Sequence, residues 1–473
     1  MITKTTIVAT LGPATASEAM IKTLIDRRVT VFRLNFSHGT FETHQATLDN
    51  IRRAAQTVPW AVCVMGDLCG PKIRAAKIEP EGRLEIGDKV ILRADSDPGT
   101  SHCFGVTVPE LVQDVAVGQR ILIDDGSIRL SVVGKEPQRL ICSVQVGGAI
   151  SSGKGINLPD TQLSIPAITE RDWAYVDWAV KNDLDYLALS FVQTADDVIR
   201  LKARLAEKRS PIRVVAKIEK PKAVDNLESI LNACDALLVA RGDLGVEMDL
   251  AQVPLAQKKM TALGRRFGKP VIVATQVLQS MIQNPVPTRA EASDVANAVM
   301  DYADALMLSG ETAVGAWPVE AVEYLAHASR VTERYLEQSE QPRLPIETLP
   351  ELHEREALAR SVATMLDRIK VRLIVAWTES GMTARLLSKM RPDVPVLALC
   401  PDARTARQLA FYYGVLSVCV QRSNDFNAWL HHTETLCLNN GWAKKGDSIL
   451  LLPPEELLSA QSRWSITLHT IAG

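Results

Sequence analysis

Short runs rich in β-branched and aliphatic residues alternate along this chain with amphipathic stretches at helical spacing, starting at Thr5. Runs at residues 6–10, 29–34, 61–65, 186–189, 214–218, 236–240, 271–274 and 305–308 read as strands, each followed by a helical pattern. That is the signature of repeated parallel βαβ units, and about eight of them suffice to close a (β/α)8 barrel. Between about Pro71 and Pro166 the helical period disappears. Runs at 89–93, 119–123, 128–133 and 140–146 are separated there by Gly, Asp and Pro, which predicts a small β domain inserted after the third barrel strand. Within it, Asp124-Asp125-Gly126 between two β runs reads as a hairpin turn. Residues 338–350, rich in Gln, Glu and Pro, read as a linker. Beyond them a helix near 355–369 and strands near 373–376, 396–399 and 448–452 begin a third, α/β domain. The predicted division is 1–70 with 167–340 for the barrel, 71–166 for the inserted domain and 351–473 for the last.

Length agrees with this division, because 473 residues exceed the roughly 250 to 300 at which single cores stop growing. With 53 basic against 55 acidic residues the net charge is −2, so no overall field favours nucleic acid or an anionic membrane. The 8 cysteines contain no Cys-x-x-Cys pair, which points to reduced thiols rather than a disulfide frame or a zinc site. Residues 1–11 lack the pattern of a signal peptide, and no apolar run approaches the roughly 18 residues of a membrane span. A cytoplasmic protein without membrane or nucleic-acid partners is expected.

Chemistry changes the picture more than composition does. Clusters of charged and small residues fall directly after predicted strands, on the carboxyl-terminal rim where barrels build their sites. They are Arg33 to Gly39 after the second strand, Gly66 to Arg74 after the third, Lys217-Ile218-Glu219 after the fifth and Arg241 to Gly245 after the sixth. Thr275-Gln276 and Ser309 to Thr312 end the seventh and eighth. Glu219 and Asp243, from neighbouring strand ends, are enough to hold a Mg2+ completed by water and substrate oxygens. Lys217 alternates with Glu219, so both face the mouth, where an ammonium meets a phosphate or a developing enolate. Arg33 and Arg74 carry forks suited to phosphate, and Gly242 allows close backbone approach with an amide to offer a carboxylate. Each piece has a plainer explanation. A strand-end Lys-x-Glu is usually a solvated ion pair, Arg-Gly-Asp is usually a turn, and His38 is more simply a hydrogen-bonding partner than a base. Their gathering on one rim outweighs those separate explanations.

These residues also carry a resemblance. Val214 to Lys220 resembles the active-site signature of the pyruvate kinases, accompanied in the family's order by Arg33 to Gly39, Gly70 to Arg74, Lys154 to Pro159, Ala240 to Gly245, Ala274 to Gln276 and Asn284 to Glu291. The resemblance implies a (β/α)8 barrel, an inserted β-barrel lid over the nucleotide, a C-terminal α/β regulatory domain and a homotetramer. It implies transfer of the phosphoryl group of phosphoenolpyruvate to ADP, giving pyruvate and ATP in glycolysis with Mg2+ or Mn2+. By the same resemblance Arg33 binds substrate phosphate, Lys217 stabilises the migrating phosphoryl group, and Glu219 with Asp243 ligates the metal. Gly242, Asp243 and Thr275 hold the substrate, and Asn35, His38, Arg74 and Lys154 contact the nucleotide. No single side chain is an obvious acid for the enolate, and Thr275 with a water is the candidate.

Members that need K+ hold it with residues matching Asn35, Ser37, Asp67 and the carbonyl of Leu68. They resemble Asp-Thr-Lys-Gly-Pro-Glu where this chain has Asp67-Leu68-Cys69-Gly70-Pro71-Lys72. The ammonium of Lys72 supplies a charge in place of K+ in this reading, so K+-independent activity is expected; the plainer reading is that Lys72 balances Asp67. In the third domain, Thr378, Ser380, Gly381 and Thr383 resemble the loop that binds a phosphorylated effector, although Ser-Gly is also a common turn and cap pairing. The family's closing Gly-rich loop is replaced by Pro453 to Leu457 and Ala460 to Arg463, so this segment does not predict a sugar-bisphosphate effector. Two rival functions are a Mg2+-dependent barrel lyase or aldolase acting on a pyruvate enolate, and an inert metabolite sensor. Arg74 and Lys154 speak against the first, and the intact Lys217, Glu219 and Asp243 against the second.

Overall fold

The computed structural model describes residues 3–161, 164–338, 353–457 and 464–472. Eight parallel strands close into one barrel: β1 Thr6–Thr10, β2 Val31–Asn35, β3 Cys63–Asp67, β4 Tyr186–Leu189, β5 Arg213–Ile218, β6 Ala236–Ala240, β7 Val271–Ala274 and β8 Ala305–Leu308, with β8 pairing back onto β1. The predicted strands are all present, but β2 and β3 start two residues later than expected. The reason is that Val29 and Val62 are buried apolar residues packing below the ladder rather than in it. Alternation explains why the strand sequences are so apolar. On β6, Ala236, Leu238 and Ala240 fill the barrel interior, while Leu237 and Val239 face the surrounding helices.

Between β3 and β4, six strands pair in the order Ile156–Asn157, Arg120–Ile123, Ile128–Glu136, Arg139–Val146, Lys89–Arg93, Cys103–Gly105. Gly82–Leu84 and Gly148–Ile150 form a separate ladder, and an apolar cluster joins both. The turn at Asp124-Asp125-Gly126 connects two paired strands as expected, with all three residues at positive φ. One expectation is corrected here, because Glu110–Asp114 is a helix. Five residues are too short to show a 3.6-residue period, and Leu111 and Val112 suffice to pin this one to the core.

The third sheet runs β11 Val415–Cys419, β10 Val396–Cys400, β9 Ile374–Trp377, β12 Ser448–Leu452, β13 Thr467–Thr470, of which β11 and β13 were not foreseen. Of the expected linker only Gln338 lies among the described residues, and residues 460–463 lie outside them as well. The third domain stops the floor of the barrel. Ala410 and Phe411 join the interior cluster, where Phe411 meets Tyr186 edge-on at 4.7 Å and the Tyr186 hydroxyl donates to the Gln408 carbonyl at 2.8 Å. Two ionic contacts flank this plug. Lys389 reaches Asp304 at 2.8 Å with both side chains 1% exposed, and Arg407 reaches Asp185 at 2.6 Å.

Candidate active site

Every strand contributes its last residues to the rim, and the sharpest chemistry lies between β2 and β6. Lys217, near the end of β5, is ringed by acceptors: Glu219 Oε1 at 2.8 Å, Asp67 Oδ1 at 3.3 Å and Ser190 Oγ at 2.7 Å. Burial opposes its charge, but Asp67 and Glu219 outweigh burial and hold the ammonium protonated above its ordinary range. Arg33, on β2, forks onto the other oxygen of Asp67 at 2.7 Å and donates to Thr10 Oγ1 at 3.1 Å. Burial alone would raise the Asp67 carboxyl; Lys217 and Arg33 together hold it below its usual value. Glu219 is fixed on its far side by the Phe191 amide, which donates to Oε2 at 2.8 Å, and Phe191 itself sits at φ 57°.

Asp243 completes the cluster from the short helix Arg241–Glu247 that follows β6. Its outer edge is open to the cleft, yet its carboxyl is pushed up, first by burial among the cleft walls and then by the charge of Glu219, against Lys217 and Lys72. A carboxyl pushed up beside a second carboxylate in one cleft is the arrangement a divalent cation relieves. Among the described residues no set of three His, Cys, Asp or Glu gathers into a metal cluster. Two carboxylates alone would leave an ion held there to draw its other ligands from water and substrate.

The seventh strand end is strained. Thr275 and Gln276 stand at φ 65° and 53°, conformations that a β-branched residue adopts only when its surroundings impose them. Arg241 imposes this one: held to Asp294 at 2.6 Å, it also donates to the Thr275 carbonyl at 2.9 Å. The Gly242 amide, expected to face a substrate carboxylate, donates instead to Thr275 Oγ1 at 2.7 Å, and that hydroxyl donates to the Ala274 carbonyl at 2.6 Å. Amide and hydroxyl thus form one preorganised pair, ready to turn to a bound anion.

A cleft of about 340 Å³ runs from Glu219 and Asp243 to the inserted domain, lined by Lys72, Arg74, Asp124 and Lys154. Lys154 pairs with Asp124 at 2.8 Å, and Arg74 donates to the Gly153 carbonyl at 2.8 Å. His38 is exposed, and its imidazole is held below its ordinary pKa by burial and then by Lys72, Arg74, Arg33 and Arg171. Cations from three segments, Lys72 with Arg74, Lys154 and Lys220, therefore line one opening. Lys72 is not the partner of Asp67, whose cations are Arg33 and Lys217; its charge acts on Asp243 and His38 instead. Three of the four groups of the monovalent-cation pocket already have protein donors. Asn35 Oδ1 accepts from the Ser37 amide at 3.1 Å, the Leu68 carbonyl from Ser190 at 2.7 Å, and Asp67 Oδ2 from Arg33.

Ser190 escaped the sequence reading, although it follows β4 at the same rim position as the other clusters. Asp172 escaped it too: fully buried, it accepts from the Cys69 and Gly70 amides and so fixes the segment leading into the inserted domain. The loop with Thr378, Ser380, Gly381 and Thr383 lies apart from this site, between β9 and the helix Met382–Lys389. Gly381 caps that helix at φ 82°, and the buried Thr378 hydroxyl has no hydrogen-bond partner.

The family model described as pyruvate kinase, barrel domain, matches residues 2–322, and that described as pyruvate kinase, alpha/beta domain, matches 356–454. A pyruvate kinase of Thermococcus litoralis is 40% identical over 452 residues, covering 95% of this chain and 94% of its own. One from Staphylococcus aureus (strain MRSA252) is 40% identical over 453 residues, covering 95% and 77%. The crystal structure of a pyruvate kinase from Cryptosporidium parvum superposes with a TM-score of 0.89 at 33% identity, covering 99% of this chain and 96% of that one.

Proposed function

This chain belongs to the pyruvate kinase family, phosphotransferases that act between phosphoenolpyruvate and ADP and generally use Mg2+, and from that premise we propose a role for each residue of the rim. The observation that carries the assignment is the network of Arg33, Asp67, Lys217 and Glu219 with Asp243 beside it, because it puts fixed cations and paired carboxylates where phosphoryl charge develops. Arg33 and Lys217 take the phosphate of phosphoenolpyruvate, exchanging part of their hold on Asp67 and Glu219 for phosphate oxygens. Glu219 and Asp243 hold the divalent cation, which neutralises charge on the transferring group. The Gly242 amide and Thr275 hydroxyl receive the substrate carboxylate. Arg74 and Lys154, with Asn35 and His38, face the ADP phosphates across the cleft.

In the transfer the bond from phosphorus to the enol oxygen breaks as the terminal ADP oxygen bonds phosphorus, and the enolate left behind takes a proton at its methylene carbon. Thr275 with a water supplies that proton in this reading, its hydroxyl standing beside the Gly242 amide at the mouth of the barrel. We assign the barrel to 1–70 and 167–340, the lid to 71–166 and the regulatory domain to 351–473, in a cytoplasmic homotetramer serving glycolysis. The test is formation of ATP from phosphoenolpyruvate and ADP, followed by a coupled assay. Activity is expected to vanish with a chelator and return with Mg2+ or Mn2+; carbon–carbon cleavage without ATP would assign a lyase instead.

A second expectation concerns K+. The Asn35, Asp67 and Leu68 oxygens that would ligate a monovalent cation already accept from protein donors, and Lys72 brings a positive charge to the cleft. Turnover in K+-free buffer, at fixed ionic strength set by a bulky ammonium salt, is therefore expected to be close to that with K+. Stimulation of many-fold by K+ sinks this reading.

A further inference from the structure

A second cavity, of about 360 Å³, lies in the seam between the barrel's last helix, Pro318–Gln338, and the third domain. Lys4 and Arg28, which precede β1 and β2, line it, so it opens at the barrel floor, away from the catalytic rim. It shares no residue with the loop at 378–383. Its three acids, Glu333, Glu337 and Asp393, are already engaged. Glu333 accepts from the Lys4 and Thr5 amides at 3.1 and 2.7 Å and from the Thr5 hydroxyl at 2.8 Å, and Glu337 holds the Lys4 ammonium at 2.7 Å. Among the described residues no carboxylate lies within ion-pair distance of Arg28, Arg330 or Arg372, which line the same space.

Two buried donors sharpen the picture. Arg28 stacks on Trp60 at 4.2 Å, and its Nη1 is buried with no hydrogen-bond partner. Trp442, 5% exposed, lines the cavity with its indole N–H likewise unpartnered, and its carbonyl accepts from Arg372 Nε at 3.2 Å. Several buried N–H groups of this structure lack an acceptor; what sets these two apart is that both residues line one cavity beside further guanidiniums. Among the described residues the unpartnered groups lining the cavity are donors, set beside cations, so the fitting ligand is an acceptor carrying negative charge.

We propose that this cavity is a binding site for a compact dianionic oxyanion, a phosphate monoester or a dicarboxylate, bridging the barrel and the third domain. A volume of about 360 Å³ suits a small metabolite. Binding across the seam stabilises the folded chain by mass action. The test uses the full chain with glycerol 2-phosphate in one arm and succinate in the other, read by titration calorimetry and by the thermal midpoint. One arm is expected to bind with a raised midpoint, and Arg330→Gln and Trp442→Phe are each expected to weaken it about tenfold, the loss of one charge-assisted or buried hydrogen bond, while turnover at saturating substrate is unchanged. Binding in the phosphate arm alone assigns a phosphate monoester, and in the succinate arm alone a dicarboxylate. The proposal is overturned if neither probe binds, or if both variants bind as the parent chain does.

Discussion

Lys217→Met is expected to lower kcat by about a thousandfold, the scale of removing one preorganised electrostatic donor from a water-poor site. Among the described residues Lys217 is the one cation that touches Glu219, Asp67 and Ser190 at once, so no neighbour there takes its place. The fold should survive the change. Arg33 still pairs with Asp67 and the Phe191 amide still holds Glu219, so both carboxylates keep a partner. Steady-state kinetics with phosphoenolpyruvate varied, beside a far-ultraviolet spectrum, check both halves of the expectation. A kcat within tenfold of the parent would remove Lys217 from the chemistry.

Asp304→Ala is expected to cost about 3–5 kcal/mol of stability, because it strands the Lys389 ammonium, which is 1% exposed. Asp304 is 1% exposed; it receives the Lys389 ammonium at 2.8 Å, the Arg391 guanidinium at 3.2 Å and the Val271 amide at 2.8 Å. Burial already depresses Lys389, with Asp304 the main opposing influence and Arg391 adding repulsion. Lys389→Met should cost less, since Arg391 and the Val271 amide still satisfy Asp304. Denaturant midpoints for the two variants give the comparison; equal losses would mean that the ammonium, not the carboxylate, organises the contact.

The parts of this protein that were legible in its sequence are those governed by short-range regularities. The barrel strands announced themselves through repeated apolar runs, and the rim through polar clusters placed just after them. Lys217 and Glu219 needed only the two-residue period of a strand to be set on one side. What stayed hidden depends on contacts distant in sequence. Lys389 reads as an ordinary basic residue in the last turn of a helix, yet its partner is 85 residues away and the pair is buried. Arg407 meets Asp185 across 222 residues. Gly242 was placed correctly on the rim, but its amide is engaged by Thr275, a neighbour in space that no spacing rule supplies. Ser190 was overlooked for a different reason: a lone serine after a strand carries no signal until its neighbours are known.

The stopper formed by Ala410 and Phe411 has a consequence for how the molecule can be dissected. A fragment ending after Gln338 would keep all eight strands and every residue of the rim, but would leave Tyr186 and the apolar lining beside it facing water through an open tube end. Such a fragment should associate through that opening rather than behave as a free-standing catalyst. Evolutionary exchange of the carboxyl-terminal third for an unrelated module would meet the same obstacle, since any substitute must bring its own cork.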